Sequence, residues 1–363
     1  MDELSKHFNV KICSEVFGDD VYREIQKAKV LINIHYYEGA LLETTRLYET
    51  LSLNTCVVVS EESKDLTENE RLADLVDFVE IDNIEQMKER ITYWITHDSE
   101  RNEKIRKNKE VLSSRPNAFS FFFQRFLLAY DRITFDMFYH LVGNYVQLHT
   151  NKICLSLPES TLRRKSFDVD NKYGFECFPG LRHQKSWVGC GLSYKMIFTK
   201  ALEAGMKEIM ICEDDVIFPA DFESQLDKIL AYLHQKKKWS IFSGIMADVG
   251  KVKILDYDKT PDFSILRIDH MISTVFNIYN KEMFKYFCNW DERNRDVYKN
   301  AIDRYLESKD LDVFIQVPFL VGHKEELTST IWGHSNIEYT QMIQNSERKL
   351  LDMASAYENE KKT

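Results

Sequence analysis

Apolar runs alternate with segments of helical period through the first third of the chain. Short apolar runs at residues 30–34, 56–60 and 78–81 predict buried strands, whereas the spacing of apolar residues at 41–51 and 84–97 predicts helices. Strands that alternate with helices in this order favour a parallel sheet with right-handed crossovers.

Weaker signals precede these elements, and a long aromatic segment follows them. Residues 10–14 have the pattern of a strand and residues 19–28 that of a short helix. The charge-rich segment 98–112 predicts a helix that ends before Arg115 and Pro116. Residues 118–145 are dense in aromatic side chains at helical spacing, which favours one long buried helix between two domains. A helix at a membrane interface is the alternative.

The stretch at 186–218 has the clearest pattern in the chain. Gly189 and Gly191 predict a turn, the amphipathic segment 192–204 predicts a helix, and the apolar segment 208–212 predicts a short strand. Charged side chains do not belong inside a buried strand, so we expect the acids that follow it at the carboxyl edge of a sheet, where open α/β sheets bind ligands. These acids are Glu213, Asp214 and Asp215.

An acidic cluster of this kind needs compensation. Neighbouring carboxylates repel one another unless a cation or a proton lies between them. Oxygen-rich clusters suit Mg²⁺ or Mn²⁺, which bridge to a substrate diphosphate, so we expect a metal-bound nucleotide as the ligand. The alternative is a strand that ends in a solvated acidic turn, since structural acids also cluster at strand ends.

The remaining pattern continues to alternate between strands and helices. Further strands are expected at 239–244, 252–255, 263–268 and 312–317. Further helices are expected at 221–235, 291–306 and 338–363.

Composition and charge limit the function classes. The chain has 363 residues with 44% apolar and 29% charged residues, which is ordinary for a globular protein of two domains. Its net charge of -10 argues against a general nucleic-acid binder, which needs a basic face. We see no apolar leader and no run long enough for a membrane span, so we expect a cytoplasmic protein. The 7 cysteines are scattered without a CxxC pair, which fits reduced core residues.

Several motifs between residues 151 and 335 follow one another in a characteristic order. The central one is the turn and helix with Gly189, Cys190, Ser193 and Tyr194, which leads into the EDD strand end. It is flanked by ICLSLPESTLRRKSF at 153–167, STVFNIYN at 273–280, AIDRYL at 301–306 and VPFLVGHKEELTSTI at 317–331. Together these segments resemble glycosyltransferase family 25, the lipooligosaccharide transferases. Tyr194 stands where the family usually has His, and His323 where Gln is expected, which leaves the donor sugar open.

This resemblance implies a GT-A-like fold and a metal-dependent, inverting transfer from a UDP-sugar. It implies that Asp214 and Asp215 hold Mn²⁺ or Mg²⁺, with His323 or His334 completing the metal shell. Asp303 matches the family's downstream Asp and is the expected base, with Asp269 in reserve, although a helix-surface charge is an equal interpretation of Asp303. The implied donor-binding residues are Arg163, Arg164, Gly189, Cys190, Ser193, Tyr194, Glu213 and Asp214.

A second resemblance lies in the first region. His35, Tyr36 and Glu38 follow a strand. Glu43, Arg46 and, less squarely, Glu49 lie along one side of the next helix because residues three and four apart are neighbours. With the following CVVVSEES strand, these residues resemble the carboxyl-terminal, nucleotide-sugar-binding half of GT-B glycosyltransferases. The resemblance implies a secondary donor-like site at Glu43, Arg46 and Glu49. A solvated helix face with an Arg–Glu pair is the alternative.

The sequence therefore predicts an α/β protein with four parts. These are a Rossmann-like half GT-B domain (1–114), vestigial or used in docking, a connecting helical segment (115–150), a GT-A-like domain (151–337) and a C-terminal helix and tail (338–363). The predicted function is transfer of a sugar, galactose by resemblance, from a UDP-sugar to a glycan or glycolipid acceptor such as lipooligosaccharide, with peripheral membrane contact. The alternatives are a catalytically reduced interaction protein and a nucleotidyltransferase that uses the EDD carboxylates.

Overall fold

The chain divides into two compact units, Met1–Asn117 and Ala118–Thr363. The computed structural model describes residues 2–37, 39–64, 69–70, 72–114, 118–250, 252–260, 263–269, 273–309, 311–331 and 333–360. Glu38, Arg115 and Pro116, which the sequence singled out, lie outside the described residues. The aromatic segment after residue 117 packs within the second unit, where Phe121 belongs to the same apolar cluster as Ile153.

The first unit is an α/β layer structure around three parallel strands in the order β1–β2–β3. The strands are β1 (Val30–Asn33), β2 (Val57–Glu61) and β3 (Asp77–Val79). The helices are α1 (Asp2–Ser5), α2 (Asp19–Ile25), α3 (Thr44–Leu53), α4 (Ile84–Thr96) and α5 (Asp98–Ser114). Val57 and Val59 of β2 face one apolar cluster and Val58 faces another, so both faces of the sheet are covered, as the continuous apolar run predicted.

The second unit contains a mixed sheet in the order β5–β4–β6–β11–β8–β12–β10–β9 and a separate β7–β13 pair. Its strands are β4 (Lys152–Ser156), β5 (Glu176–Pro179), β6 (Glu208–Glu213), β7 (Val216–Ile217), β8 (Ile241–Ser243), β9 (Ile254–Lys259), β10 (Ser264–Ile268), β11 (Phe276–Asn280), β12 (Val313–Val317) and β13 (Gly322–His323). Its helices are α6 (Ala118–Ala129), α7 (Phe135–Val142), α8 (Thr161–Asp170), α9 (Ser186–Glu203), α10 (Phe222–Gln235), α11 (Phe284–Cys288), α12 (Val297–Asn300), α13 (Ile302–Glu307) and α14 (Ile337–Glu360). The α/β prediction is confirmed at this level.

Strand direction decides which residues share an edge of this sheet. β4 and β6 run parallel, and Leu155 pairs with Glu213 at their common carboxyl end. β11 runs antiparallel to β6, so its amino end arrives at the same edge, where the Glu213 amide donates to the carbonyl of Val275 at 2.9 Å. The residues that follow β4, those that follow β6 and those that precede β11 therefore lie close together at this edge.

Two local predictions from the sequence are wrong. Residues 10–14 form no strand, because residues 11–14 are exposed and the alternating pattern has no buried face to fill. The aromatic segment 118–145 is not one helix but two, α6 and α7. The break lies at Asp131, which has a φ of 55°, and Thr134 then caps α7 by accepting a hydrogen bond from the Met137 amide at 3.2 Å. Phe121 is buried on one face of α6, while Phe119 on the other is 78% exposed.

Gly189 and Gly191 lie inside α9 rather than in a turn before it, contrary to the sequence prediction. Both glycines allow close packing at one end of the helix. A Cβ on Gly189 would lie 2.9 Å from the backbone nitrogen of His183, and a Cβ on Gly191 would overlap the indole of Trp290. Trp290 is 1% exposed, and its Nε1 donates to the carbonyl of Asn300 at 2.9 Å. The glycines are therefore packing residues of a helix that starts at the edge described above.

Within the described residues, no helix is both long enough and apolar enough to cross a membrane.

Gly191→Ala should destabilise the second unit. On an exposed helix this change stabilises by about 1 kcal/mol, so a loss would report the overlap with Trp290. We expect a loss of about 1–3 kcal/mol in the free energy of unfolding, measured by urea denaturation, as for other overpacked cores. In a Trp290→Phe background the smaller ring should reduce this loss. An equal effect of Gly191→Ala in both backgrounds would show that the indole is not the obstacle.

Candidate active site

The three carboxylates lie at the edge where β4, β6 and β11 meet. Glu213 ends β6, and Asp214 and Asp215 form the turn before β7. Asp214 is 4% exposed and Asp215 5% exposed, so this is not the solvated acidic turn that the sequence left open. Glu213 Oε1 accepts a hydrogen bond from Thr274 Oγ1 at 2.6 Å. Burial, together with the negative charge of Asp215, raises the pKa of Glu213 to about 7.

Arg163 lies between the two aspartates. It lies in the first turn of α8, and a short loop connects β4 to this helix. Its Nε donates to Asp214 Oδ1 at 2.7 Å and its Nη2 to Asp215 Oδ2 at 3.0 Å, while Nη1 donates to the carbonyl of Thr328 at 2.8 Å. The guanidinium therefore supplies, from within the chain, the cation that neighbouring carboxylates need.

Two further side chains donate hydrogen bonds to the aspartates. Ser156 Oγ, at the end of β4, donates to Asp214 Oδ2 at 2.6 Å. Asn336 Nδ2 donates to Asp215 Oδ2 at 2.8 Å. Among the residues that the structure describes, Asp215 Oδ1 is a buried carboxylate oxygen with no hydrogen-bond donor.

Two cavities open at this edge, and Glu213 lines both. The larger cavity, of about 510 Å³, is also lined by Asp215, Asp303 and His323. The smaller cavity, of about 100 Å³, has polar lining residues on its walls. Besides Glu213, these are Ser156, Arg163, Arg182, His183, Ser186, Ser193, Asp214 and Thr330.

The predicted metal shell of Asp214, Asp215 and His323 does not fit this arrangement. Mg²⁺ and Mn²⁺ bind carboxylates whose negative charge is not already neutralised, yet the Arg163 guanidinium lies between Asp214 and Asp215 and pairs with an oxygen of each. His323 Nε2 lies 3.2 Å from Thr340 Oγ1. Within the described ranges, no group of three or more His, Cys, Asp or Glu is placed to hold a metal ion.

The donor-binding residues predicted in α9 divide into lining and packing residues. Cys190 and Ser193 line the smaller cavity. Ser193 Oγ accepts from the Leu181 amide at 2.7 Å and donates to the carbonyl of Gly189 at 2.7 Å, which fixes the cavity wall to the helix. Tyr194 is fully buried in an aromatic cluster, with its ring stacked at 5.6 Å on Phe287. The Tyr that replaces the family's His is therefore a core residue in this chain.

The remaining predicted site residues fall at different places. Asp303 lines the larger cavity, and its Oδ1 accepts from the Arg304 amide at 2.9 Å. His334 lines the same cavity. Asp269, the reserve candidate, is exposed at the end of β10, where its Oδ1 accepts from the Lys253 amide at 2.8 Å. Asp269 and Arg164 line neither cavity.

Three contributors to the site were not predicted individually. Ser156 ends β4 and Thr274 lies just before β11, and the positions of these two strands were the signal that could have found them. Asn336 is different, because 121 residues separate it from Asp215 and it belongs to no motif. Its position depends on the segment after β13, where the Lys324 amide donates to the carbonyl of Asp215 at 2.7 Å.

The first unit has a separate polar network at the carboxyl ends of β1 and β2. Asn33, fully buried, donates through Nδ2 to Glu43 Oε2 at 2.8 Å and accepts at Oδ1 from Arg46 Nη1 at 2.8 Å. His35 Nδ1 lies 3.3 Å from Glu43 Oε1. Glu49 is not part of this network, because its nearest side-chain partner is the hydroxyl of Tyr22 at 3.5 Å. Of the three charged residues predicted to lie in one row, Glu43 and Arg46 therefore belong to the network at the strand ends, and Glu49 lies apart from it.

Two segments of the chain match models of known protein families. Residues 184–301 match the model of glycosyltransferase family 25 (LPS biosynthesis protein), and residues 2–117 match a glycosyl transferase-like model. Both segments are similar to glycosyltransferase family domains. The two resemblances seen in the sequence are therefore confirmed, and they indicate a transferase with a nucleotide-sugar donor and a glycan acceptor. Arg163 and Asp303 lie outside the matched segments, so their assignment depends on the geometry above.

Other comparisons add little. No curated protein matches the chain. Among solved structures, the crystal structure of A197 from STIV is 14% identical, covers 45% of this chain and 78% of its own, and has a TM-score of 0.28. A score this low supports no conclusion about fold or function.

Asn33→Ala should loosen the first unit, whereas Glu49→Ala should not. Asn33→Ala removes three hydrogen bonds from a fully buried position, including the one that Asn33 Nδ2 donates to Ser60 Oγ at 3.0 Å. We expect the local free energy of opening to fall by about 1–3 kcal/mol, measured by hydrogen exchange of the β1 and β2 amides. Glu49→Ala, the matched control on α3, should stay within about 0.5 kcal/mol of the wild type. Equal losses in both variants would contradict the separation of Glu49 from the network.

Proposed function

We propose that the second unit transfers a sugar, galactose by its likeness to family 25, from a UDP-sugar to a glycan acceptor such as lipooligosaccharide, with inversion at the anomeric carbon. The observation that carries this proposal is the buried Asp215, whose Oδ1 has no donor among the described residues and which lines a cavity of about 510 Å³. An unpaired buried carboxylate oxygen is costly, and the hydroxyl of a sugar or ribose is a donor of the right kind.

The two cavities suggest a division between donor and acceptor. The smaller cavity has cationic and hydroxyl-bearing side chains, Arg163, Arg182 and Ser156, which suit a diphosphate. The larger cavity has Asp303 and two histidines together with Tyr298 and Tyr339, a lining that suits a sugar acceptor. Glu213 lies at the boundary, so the anomeric carbon would sit beside it. This placement corresponds to a GT-A-like arrangement of donor and acceptor around the acidic strand end.

The chemistry assigned to these residues is a single displacement. The acceptor oxygen forms a bond to the anomeric carbon while the bond from that carbon to the diphosphate oxygen breaks, so the electron pair leaves with UDP. The acceptor hydroxyl loses its proton in the same step, and Asp303 is the carboxylate proposed to take it. The cationic wall of the smaller cavity stabilises the charge that develops on the leaving diphosphate.

Two carboxylate variants test this assignment in a UDP-release assay with UDP-galactose, other UDP-sugars and a truncated lipooligosaccharide acceptor. Asp303→Asn should lower kcat by about 10²–10⁴-fold because the proton acceptor is lost. Asp269→Asn removes an acid that lies outside both cavities and should leave kcat near that of the wild type. Thermal midpoints of both variants, measured alongside, separate loss of activity from loss of folding.

Three results would count against the proposal. Full activity in Asp303→Asn would remove Asp303 as the base. Release of pyrophosphate from a nucleoside triphosphate would instead indicate a nucleotidyltransferase. A thermal midpoint that no nucleotide sugar raises would favour the interaction protein, because a ligand that binds only the native state must raise the midpoint.

A further inference from the structure

The acidic strand end holds an internal cation at the place where a divalent metal is expected. Arg163, Asp214 and Asp215 are all largely buried, with side chains 13%, 6% and 8% exposed. The charges therefore interact in a region that water screens poorly. Burial lowers the pKa of Arg163 and the two carboxylates raise it, with a net rise, so the guanidinium keeps its charge.

The geometry leaves little room for a second cation. Arg163 takes Asp214 Oδ1 and Asp215 Oδ2, and Ser156 takes Asp214 Oδ2. A metal that approached the remaining oxygen, Asp215 Oδ1, would obtain only one ligand from the two aspartates. It would also be repelled by the positive guanidinium on the other side of that carboxylate. A divalent ion would have to displace Arg163 to obtain the aspartate ligands that the sequence assigned to it.

Arg163 is also held in place from the other side. Its Nη1 donates to the carbonyl of Thr328, in the segment that precedes Asn336, and Asn336 itself donates to Asp215. The guanidinium thus connects α8, the turn after β6 and the segment after β13. Displacing it would break its contacts to two other parts of the chain at once.

We propose that the guanidinium of Arg163 takes the place of the divalent cation at the acidic strand end, so that the second unit binds the diphosphate of its donor without a metal. The statement about the diphosphate rests on the proposed function. The statement that Arg163 excludes a metal from the aspartates does not, and it can be tested alone. Arg163 lines the smaller cavity beside Arg182, so the same wall offers a second guanidinium to a diphosphate.

The first experiment uses Mn²⁺ alone with the full chain. The electron paramagnetic resonance signal of free Mn²⁺ should be the same with and without wild-type protein up to millimolar concentration. Arg163→Gln should gain Mn²⁺ binding because it frees the aspartates, and Asp215→Asn in that background should abolish the gain. Lys165→Gln removes an exposed charge from the same helix and should behave as the wild type.

Wild-type protein that takes up Mn²⁺ and loses this binding on Asp215→Asn would overturn the proposal. This arm does not need the Arg163 variant, whose two buried carboxylates are left uncompensated and which can fail to fold. The wild type and Asp215→Asn therefore decide the question by themselves.

The second experiment measures the thermal midpoint with UDP-galactose, once with Mn²⁺ and once with chelator. The proposal predicts the same rise in both conditions. A rise that chelator abolishes would overturn metal independence while keeping the proposed transferase. No rise with any nucleotide sugar in either condition would instead count against the proposed function, and the Mn²⁺ titration would still decide whether Arg163 excludes the metal.

Discussion

The ion pairs that Arg163 makes with Asp214 and Asp215 are the constraint on which the second unit's candidate site depends. Two carboxylates buried side by side are unstable without a compensating charge, and removing one partner of such a buried pair typically costs about 3–5 kcal/mol. The cation comes from the helix that follows β4, and β4 lies beside β6 in the sheet. Strand order, helix placement and the acidic turn are therefore linked by one electrostatic requirement.

This requirement also explains the shape of the site. The guanidinium, Ser156 and Asn336 fix the aspartates on one side, which leaves Glu213 and the free oxygen of Asp215 as the acidic groups facing ligands. Arg163, Arg182 and Ser156 line the smaller cavity together with Asp214, whereas Asp303 and two tyrosines line the larger one, and Glu213 lines both. The proposed function assigns the donor diphosphate to the smaller cavity and the hydroxyl-rich acceptor to the larger one.

Sequence reasoning located the acids correctly for a physical reason. A run of buried apolar residues that ends in EDD has only one place for the charges, the edge of the sheet. The same reasoning gave the strands of the first unit, because continuous apolar runs such as 56–60 need cover on both faces. The order of strands in the second sheet could not be read this way, since it depends on pairings between segments far apart in the chain.

What the sequence did not predict depends on long-range contacts. Arg163 was expected at a diphosphate, and no local pattern indicated that it also pairs with Asp214 and Asp215 across the fold. Gly191 was expected in a turn, but the constraint on it is Trp290, which packs against α9 from a distant segment. Tyr194 was expected at the donor, but neighbouring aromatic rings hold it in the core. In each case the local pattern is compatible with both positions, and a partner more than fifty residues away decides between them.

Hydrogen exchange of the full chain with UDP-galactose, followed peptide by peptide with Mn²⁺ and again with chelator, tests the central claim most directly. The account predicts slower exchange in peptides that cover residues 153–165, 210–218 and 328–336, in both conditions. Protection confined to the first unit, around residues 33–46, or no protection anywhere in the chain, would contradict a donor site at the acidic strand end of the second unit.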